Sequence, residues 1–168
     1  HTENFFKFLK IPIKINSSKN IDKINLTGAQ KFKSFAYDVP SDISSALFFV
    51  ALAVLTKKSK LTLKNVNINY SRMGSIEILK KMGVKFIFKN KKREKGETIS
   101  DIIVKSPKQI KPIDCPKSMN SKAIDEFLII FLIATKAKGN SYFKGLSELN
   151  QKESPRLKIA SKFLNLIG

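Results

Sequence analysis

A chain of 168 residues has room for one domain or for parts of two, and its 42% hydrophobic content can bury a core, which excludes a disordered tail. Its apolar runs stay shorter than the roughly 18 residues that span a bilayer, so no membrane protein is expected. The net charge of +19 suggests nucleic-acid binding, but nearly all the cations are lysines spread along the chain, whereas nucleic-acid sites favour arginine and aromatic residues.

Cysteine and histidine are too scarce here to build a catalytic pair or a metal site. Cys115 is the one cysteine and cannot form an internal disulfide, and His1 is the one histidine. The start of the sequence lacks the pattern of a secretory signal. Together these features favour a reducing, cytoplasmic setting.

The first third of the chain predicts the end of a helix, short strands and then a second helix. Residues 2–9 have helical spacing. Alternating patterns predict strands at residues 11–15, 23–26 and 33–37. Residues 43–55 (ISSALFFVALAVL) predict a helix with Ser41 and Asp42 as candidate N-caps. Because this helix is apolar on every side, we expect it to be buried all round.

The middle of the chain predicts a strand, an amphipathic helix and a pair of strands. These elements are expected at residues 60–66, 74–82, 84–89 and 101–105. Gly83 stands where a helix commonly ends in a left-handed residue. The basic run at residues 89–95 is expected to form a solvated hairpin loop.

The same block of elements then occurs a second time. An all-apolar helix, a strand and an amphipathic helix are predicted at residues 124–134, 141–146 and 157–167. The closing glycines, Gly83 and Gly168, lie about 85 residues apart, as expected of a duplicated unit. We predict an α/β fold of repeated β-α-β-α-β-β units with helices inside and sheets outside, the inverse of a TIM barrel. Both ends of the sequence fall within a unit, so we expect an incomplete part of a longer protein.

Two places in the second block could carry chemistry. Asp125 precedes an apolar run, where it either stabilises a helix N-terminus or acts as a base at the edge of a dry core, and Glu126 allows the same two interpretations. Ser154 and Pro155 predict a helix start. Lys152 and Arg156 beside that helix N-terminus would attract an anion, and Glu153 among them could trade a proton. A solvated loop explains this spacing equally well. In the first block, residues 69–72 stand at the equivalent place and form either a second polar loop facing the same cleft or a capped turn, and we favour the turn.

Five segments resemble motifs of the EPSP synthase family, in the order in which that family carries them. They are residues 39–46 (VPSDISSA), 69–74 (NYSRMG), 78–83 (ILKKMG), 124–126 (IDE) and 148–156 (ELNQKESPR). The resemblance implies transfer of an enolpyruvyl group from phosphoenolpyruvate to the 5-hydroxyl of shikimate 3-phosphate, giving EPSP and phosphate, in the shikimate pathway of aromatic amino-acid biosynthesis. It implies no metal or organic cofactor and no nucleic-acid or membrane partner. The family is usually monomeric, although an isolated part could self-associate.

The resemblance also implies a role for individual residues. Asp125 is similar to the aspartate that takes the proton of the 5-hydroxyl, and Glu153 to the glutamate that exchanges a proton at C3 of the enolpyruvyl group. Lys152 matches a lysine that contacts shikimate 3-phosphate, and Arg156 matches an arginine that holds phosphoenolpyruvate. The family has two lobes of three units each. Residues 1–38 would complete the lobe on the shikimate 3-phosphate side, and residues 39–168 would form about half of the second lobe.

Three positions depart from the family's pattern: Ser41 replaces a glycine, Asn150 an arginine and Pro155 an aspartate. The lost cation at Asn150 is expected to weaken local charge pairing. Because the family's other substrate-binding motifs lie outside these residues, we expect the isolated chain to be inactive. The alternatives are the sister enzyme that transfers enolpyruvyl to UDP-N-acetylglucosamine, and a basic nucleic-acid-binding module.

Overall fold

The structure, a computed structural model, describes residues 1–19 and 21–168. Its helices are α1 (Thr2–Phe8), α2 (Ile43–Leu55), α3 (Gly74–Lys81), α4 (Phe127–Ala134) and α5 (Arg156–Ile167). Its strands are β1 (Ile13–Ser17), β2 (Asp22–Leu26), β3 (Lys60–Asn67), β4 (Lys85–Glu94), β5 (Glu97–Lys105), β6 (Asp114–Cys115) and β7 (Tyr142–Phe143). Short 3₁₀ turns lie at Tyr70–Arg72, Lys117–Met119 and Ser147–Gln151.

The N-terminal part consists of α1 and an antiparallel β1–β2 hairpin whose residues are nearly all exposed. The strand predicted at residues 33–37 is wrong, because this stretch is irregular. Its aromatic side chains pack instead of pairing: the rings of Phe35 and Tyr37 lie 5.6 and 5.3 Å from that of Phe5 in α1. The alternating pattern therefore came from one aromatic contact face and not from a sheet.

The first unit has the predicted order of elements. Ser41, just before α2, pairs in parallel with Val66 of β3, which follows α2. Together with α3, β4 and β5, these elements complete a β-α-β-α-β-β unit. The sheet order is β3-β5-β4, with β5 antiparallel to both neighbours. Asp42 caps α2 by accepting a hydrogen bond from the Ser45 N–H at 2.8 Å, and Gly83 ends α3 with φ of 95°.

The basic run at residues 89–95 is not the loop that its charge suggested. Strand β4 continues to Glu94, and only Lys95 and Gly96 form the turn before β5. The ladder resumes after an irregularity between Lys89 and Lys92, so hydrogen bonds to β5 override the weak strand propensity of lysine.

The second unit repeats the parallel crossover in a shorter form. Strand β6 pairs parallel with β7, and α4 connects them. Helix α4 begins at Phe127, three residues later than predicted, because residues 120–126 form successive turns. The strand predicted at 141–146 shrinks to β7, since the Asn120 amide donates hydrogen bonds to the Lys144 and Gly145 carbonyls and holds them in a bend.

The core lies where α2 and α4 pack together beneath the sheet. Its largest buried members on these helices are Leu47, Val50, Val54, Phe127, Ile130 and Ile133. The prediction that α2 is buried all round is wrong, because Phe48, Phe49 and Leu52 are 63%, 56% and 65% exposed. Helix α4 and the sheet cover two sides of α2, and the described residues leave its third side open. None of the described helices is long and apolar enough to cross a membrane.

Candidate active site

Four helices begin around one group of charged side chains. Ser44 lies in the first turn of α2, Arg72 two residues before α3, Asp125 two residues before α4, and Arg156 at the start of α5. Helix N-termini carry partial positive charge and unpaired N–H groups, so their convergence favours bound anions.

Asp125 stands at the centre of this group. One carboxylate oxygen, Oδ1, lies 3.7 Å from Lys152 Nζ and 3.5 Å from Arg156 Nη1. The other oxygen, Oδ2, lies 3.8 Å from Arg72 Nη2. Its side chain is 39% exposed, so a carboxylate that solvent can reach is surrounded by three cations.

Glu153 joins the same cluster through Arg156. Arg156 Nη2 donates to Glu153 Oε2 at 2.7 Å while Nη1 faces Asp125, so a single guanidinium bridges two carboxylates. The backbone N–H of Glu153 itself, and then the hydrogen bond and charge of Arg156, lower the pKa of the Glu153 carboxyl. Glu153 is therefore a carboxylate here, and its side chain is 79% exposed. All four residues predicted from the sequence meet in one place.

The loop that leads into α5 and carries Lys152 and Glu153 differs from the prediction in how the helix begins. Helix α5 begins at Arg156 with Pro155 in the N-cap position, so the predicted Ser154 cap is wrong. The N–H of Leu157 instead donates to Asn150 Oδ1 at 3.1 Å. The 3₁₀ turn Ser147–Gln151 carries Asn150 back to the helix start, so this residue acts as a remote cap.

Sequence reasoning singled out Glu126 but missed the layer that it forms with Arg72 and Ser44 behind Asp125. Arg72 Nη2 donates to Ser44 Oγ and lies 3.5 Å from Glu126 Oε1, while Ser44 Oγ donates to the same Glu126 oxygen. The side chain of Glu126 is only 2% exposed. Burial raises its pKa, and the Ser44 hydrogen bond and the Arg72 charge oppose that rise. The signal available in the sequence was an acidic residue directly preceding an apolar run.

The predicted capped turn at residues 69–72 is confirmed, but it also has a second role. Asn69 Oδ1 accepts a hydrogen bond from the Ser71 N–H at 3.1 Å, which shapes the turn. The turn then directs the Arg72 side chain into the charged group. The capping residue Asn69 and the site residue Arg72 therefore belong to the same four-residue turn.

This arrangement can bind anions and move protons. A solvent-reachable carboxylate can accept a proton from a hydroxyl, while fixed cations beside it hold phosphate or carboxylate groups. Two carboxylates bridged by one arginine could act at two atoms of the same bound molecule.

Comparison with known proteins gives a consistent result. The family model described as EPSP synthase (3-phosphoshikimate 1-carboxyvinyltransferase) matches residues 1–168. Proteins named 3-phosphoshikimate 1-carboxyvinyltransferase are similar over the whole chain: 40% identical in Ruthia magnifica and 36% in Thermodesulfovibrio yellowstonii. The chain spans 38% of the length of each of these relatives.

Solved structures agree with the sequence relatives. An EPSP synthase structure from Acinetobacter baumannii is 36% identical and superimposes with a TM-score of 0.85 over 96% of this chain and 36% of its own. A second structure from that organism gives 34% identity and a TM-score of 0.86 over all of this chain and 36% of its own. With the inside-out α/β repeat and the charged cluster described above, these matches lead to one conclusion: the chain belongs to the EPSP synthase family.

Proposed function

We propose that this chain supplies one wall of an active site that transfers the enolpyruvyl group of phosphoenolpyruvate to the 5-hydroxyl of shikimate 3-phosphate, giving EPSP and phosphate. The observation that carries the proposal is the pair of carboxylates, Asp125 and Glu153, bridged by Arg156. The reaction needs proton transfer at two separate atoms between anionic substrates, and this arrangement offers two carboxyl groups that can take or give a proton beside fixed cations.

In the addition step, Asp125 takes the proton of the 5-hydroxyl while the oxygen forms a bond to C2 of phosphoenolpyruvate. C3 gains a proton, which we assign to Glu153, and the product is a tetrahedral ketal phosphate. In the elimination step, C3 returns a proton to Glu153, the C2–O bond to phosphate breaks and the C2–C3 double bond re-forms, while the proton held by Asp125 passes to the departing phosphate.

Glu153 has to be protonated before the addition step, although its own backbone N–H and Arg156 lower its pKa in the structure. Two anionic substrates placed beside it would raise its proton affinity, because like charges disfavour ionisation. Substrate binding would thus prepare Glu153 as an acid. Lys152 and Arg156 are assigned to shikimate 3-phosphate and phosphoenolpyruvate, respectively.

The test is phosphate release from phosphoenolpyruvate and shikimate 3-phosphate by a chain of the relatives' full length that contains residues 1–168. Release that depends on both substrates and falls at least a hundredfold in Asp125→Ala supports the proposal, since general base catalysis is typically worth about 10²–10⁴-fold. Arg93→Gln, a charge change on an exposed residue of β4, is the matched control. The proposal is overturned if the full-length protein releases no phosphate, or if Asp125→Ala leaves the rate of phosphate release unchanged.

We propose further that the 168-residue chain alone is inactive. Asp125, Lys152 and Arg156 are each partly open to solvent, whereas such chemistry requires a water-excluding site. The same release assay applies. Release by the chain alone that vanishes in Asp125→Ala would contradict this expectation and would point to a site completed by self-association.

The division of the chain into residues 1–38 and residues 39–168 is also proposed, as the end of one lobe and about half of another. The separate and exposed β1–β2 sheet supports it, since the main core draws its buried residues from later elements. Amide exchange in β1–β2 that is much faster than in β3–β5 is the expected result. Equal protection would argue for one cooperative unit.

A cytoplasmic location is proposed on chemical grounds. Both substrates are phosphorylated anions that do not cross bilayers unaided, so the reaction belongs in the compartment that makes them. Fractionation of the source cells tests this, and recovery outside the cytoplasm would contradict it.

A further inference from the structure

The turn between β3 and α3 carries a pattern, Asn69-x-x-Arg72-x-Gly74, for which the mechanism above has no use. Each of its three fixed positions has a structural task. Asn69 Oδ1 accepts the Ser71 N–H and hydroxyl, which closes the turn. Arg72 ends the turn with its N–H donated to the Asn69 carbonyl at 2.9 Å.

Gly74 brings this turn directly against the loop that leads to Asp125. Its N–H donates to the Lys122 carbonyl at 3.2 Å. A Cβ at this position would lie 2.7 Å from both the backbone carbon and the Cβ of Lys122, closer than any real contact. Only glycine allows the approach, and the approach brings the Arg72 side chain within reach of the residues before α4.

Arg72 faces two different environments. On one side are Ser44, which accepts a hydrogen bond from it, and the buried carboxylate of Glu126. On the other side is Asp125, through the oxygen that faces neither Lys152 nor Arg156. The guanidinium therefore connects a fixed anchor on α2 and α4 to the exposed carboxylate.

We propose that Arg72, anchored by Ser44 and Glu126, is a positioning residue that fixes the orientation of the Asp125 carboxylate. This rests on the proposed function. With Oδ2 held by Arg72, Oδ1 points toward the two cations assigned to the substrates. The proton acceptor is then oriented before the hydroxyl arrives.

Such orientation matters because the rates of proton and group transfer depend steeply on geometry. A misplacement of about 1 Å by a change outside the chemistry can cost about a hundredfold in rate. A carboxylate 39% exposed and free to rotate would spend much of its time in unproductive orientations. Arg72 touches no reacting atom in this scheme, so its effect should be on kcat and should depend on Asp125.

The first test measures kcat and KM in a chain of the relatives' full length that contains residues 1–168. Arg72→Gln should lower kcat by about 10- to 100-fold and leave KM for phosphoenolpyruvate nearly unchanged. Arg72→Lys should recover part of the loss, since it keeps the charge but not the planar fork. In an Asp125→Ala background, Arg72→Gln should lower kcat no further. Independent, multiplicative losses would overturn the proposal.

The second test needs no activity and uses the 168-residue chain itself. Three-bond NMR couplings report the χ1 rotamer of Asp125. They should indicate one dominant rotamer in the unsubstituted chain and rotamer averaging in Arg72→Gln, with Arg93→Gln as the matched control. Unchanged couplings in Arg72→Gln would overturn the proposal whatever the kinetics show. Absence of phosphate release by the unsubstituted full-length protein would instead refute the proposed function, so the two failures are distinguishable.

Discussion

At the scale of single residues, Asp125 and Glu126 are chain neighbours with opposite surroundings. Asp125 is reachable from solvent and lies among three cations, whereas the Glu126 side chain is 2% exposed. Burial raises the pKa of Glu126, and Ser44 and Arg72 only partly oppose this. One backbone turn thus creates one carboxylate available for proton transfer and one that serves as an internal support.

The raised pKa of Glu126 predicts how stability depends on pH. The folded state holds this proton more tightly than the unfolded chain, so stability is lost as pH rises from the ordinary glutamate value through the raised one. Glu126→Gln mimics the protonated form and escapes this loss. We expect its Tm to exceed that of the unsubstituted chain at pH 7 and the difference to shrink toward pH 4.

Thermal unfolding followed by circular dichroism between pH 4 and pH 8 measures the effect. Glu148→Gln, at an exposed glutamate in the turn before α5, is the matched control and should show a much smaller pH-dependent difference. The difference in Tm between Glu126→Gln and the unsubstituted chain should be larger at pH 7 than at pH 4. A difference that is smaller at pH 7 would contradict this expectation.

The remote cap of α5 gives a second prediction at this scale. Asn150→Ala removes the acceptor of the Leu157 N–H and should cost about 1 kcal/mol of local stability, the usual value of an N-cap. Amide exchange at residues 157–160 should accelerate by about fivefold, since 1.4 kcal/mol corresponds to tenfold in an equilibrium constant. Asn150→Asp should retain protection, and Asn140→Ala, in an exposed loop, should leave it unchanged.

At the scale of elements, the contact between α3 and the loop before α4 is the tightest backbone approach that supports the site. Gly74→Ala would place its Cβ 2.7 Å from Lys122 backbone, where no flexible side chain can give way. We expect a loss of about 1–3 kcal/mol, as for overpacked cores. The denaturation midpoint measures it. Gly28→Ala is the matched control, because a Cβ there meets nothing within 4 Å. Equal midpoints for the two variants would contradict the proposed close approach.

Local signals predicted some elements well and others poorly. Helix α2 begins and ends where its Asp42 cap and apolar length indicated, because local chemistry decides both ends. Helix α4 does not, since successive turns at residues 120–126 delay its start. Strand β4 extends to Glu94, beyond its predicted end at Lys89, because it pairs with β5. This pairing joins separate strands, so a lysine-rich segment does not reveal it.

At the scale of the whole molecule, two of the described helices leave apolar side chains open to solvent. Phe48, Phe49 and Leu52 of α2 are exposed, and α5 presents Ile159, Phe163 and Leu166 to solvent. Exposed apolar patches of this kind promote association.

We therefore expect the isolated chain to self-associate at micromolar concentration, which sedimentation velocity would detect. The double substitution Phe48→Ser and Leu52→Ser should shift the chain toward monomer. Phe32→Ser, at an exposed aromatic residue elsewhere, should not. A monomeric unsubstituted chain would contradict the expectation.

Four residues of the candidate site were predicted from the sequence, but its architecture was not. Lys152, Glu153 and Arg156 lie within five residues of one another, and their charges beside a predicted helix start indicated an anion site. Their meeting with Asp125 required the ordered set of family motifs, because periodicity says nothing about which loops face each other. Arg72 and Ser44 were hidden because a capping residue and a site residue look alike in sequence.

Each apolar helix lies between two parallel pairing segments: Ser41 and Val66 around α2, and β6 and β7 around α4. A backbone break at residues 106–109 would leave both crossovers whole. The two halves would then be held by the packing of α2 and α3 against α4 and the 3₁₀ turn Lys117–Met119. When the two halves are co-expressed as separate chains, they should associate through that interface. Residues 106–109 are therefore a suitable place to divide the chain for a split-protein complementation design.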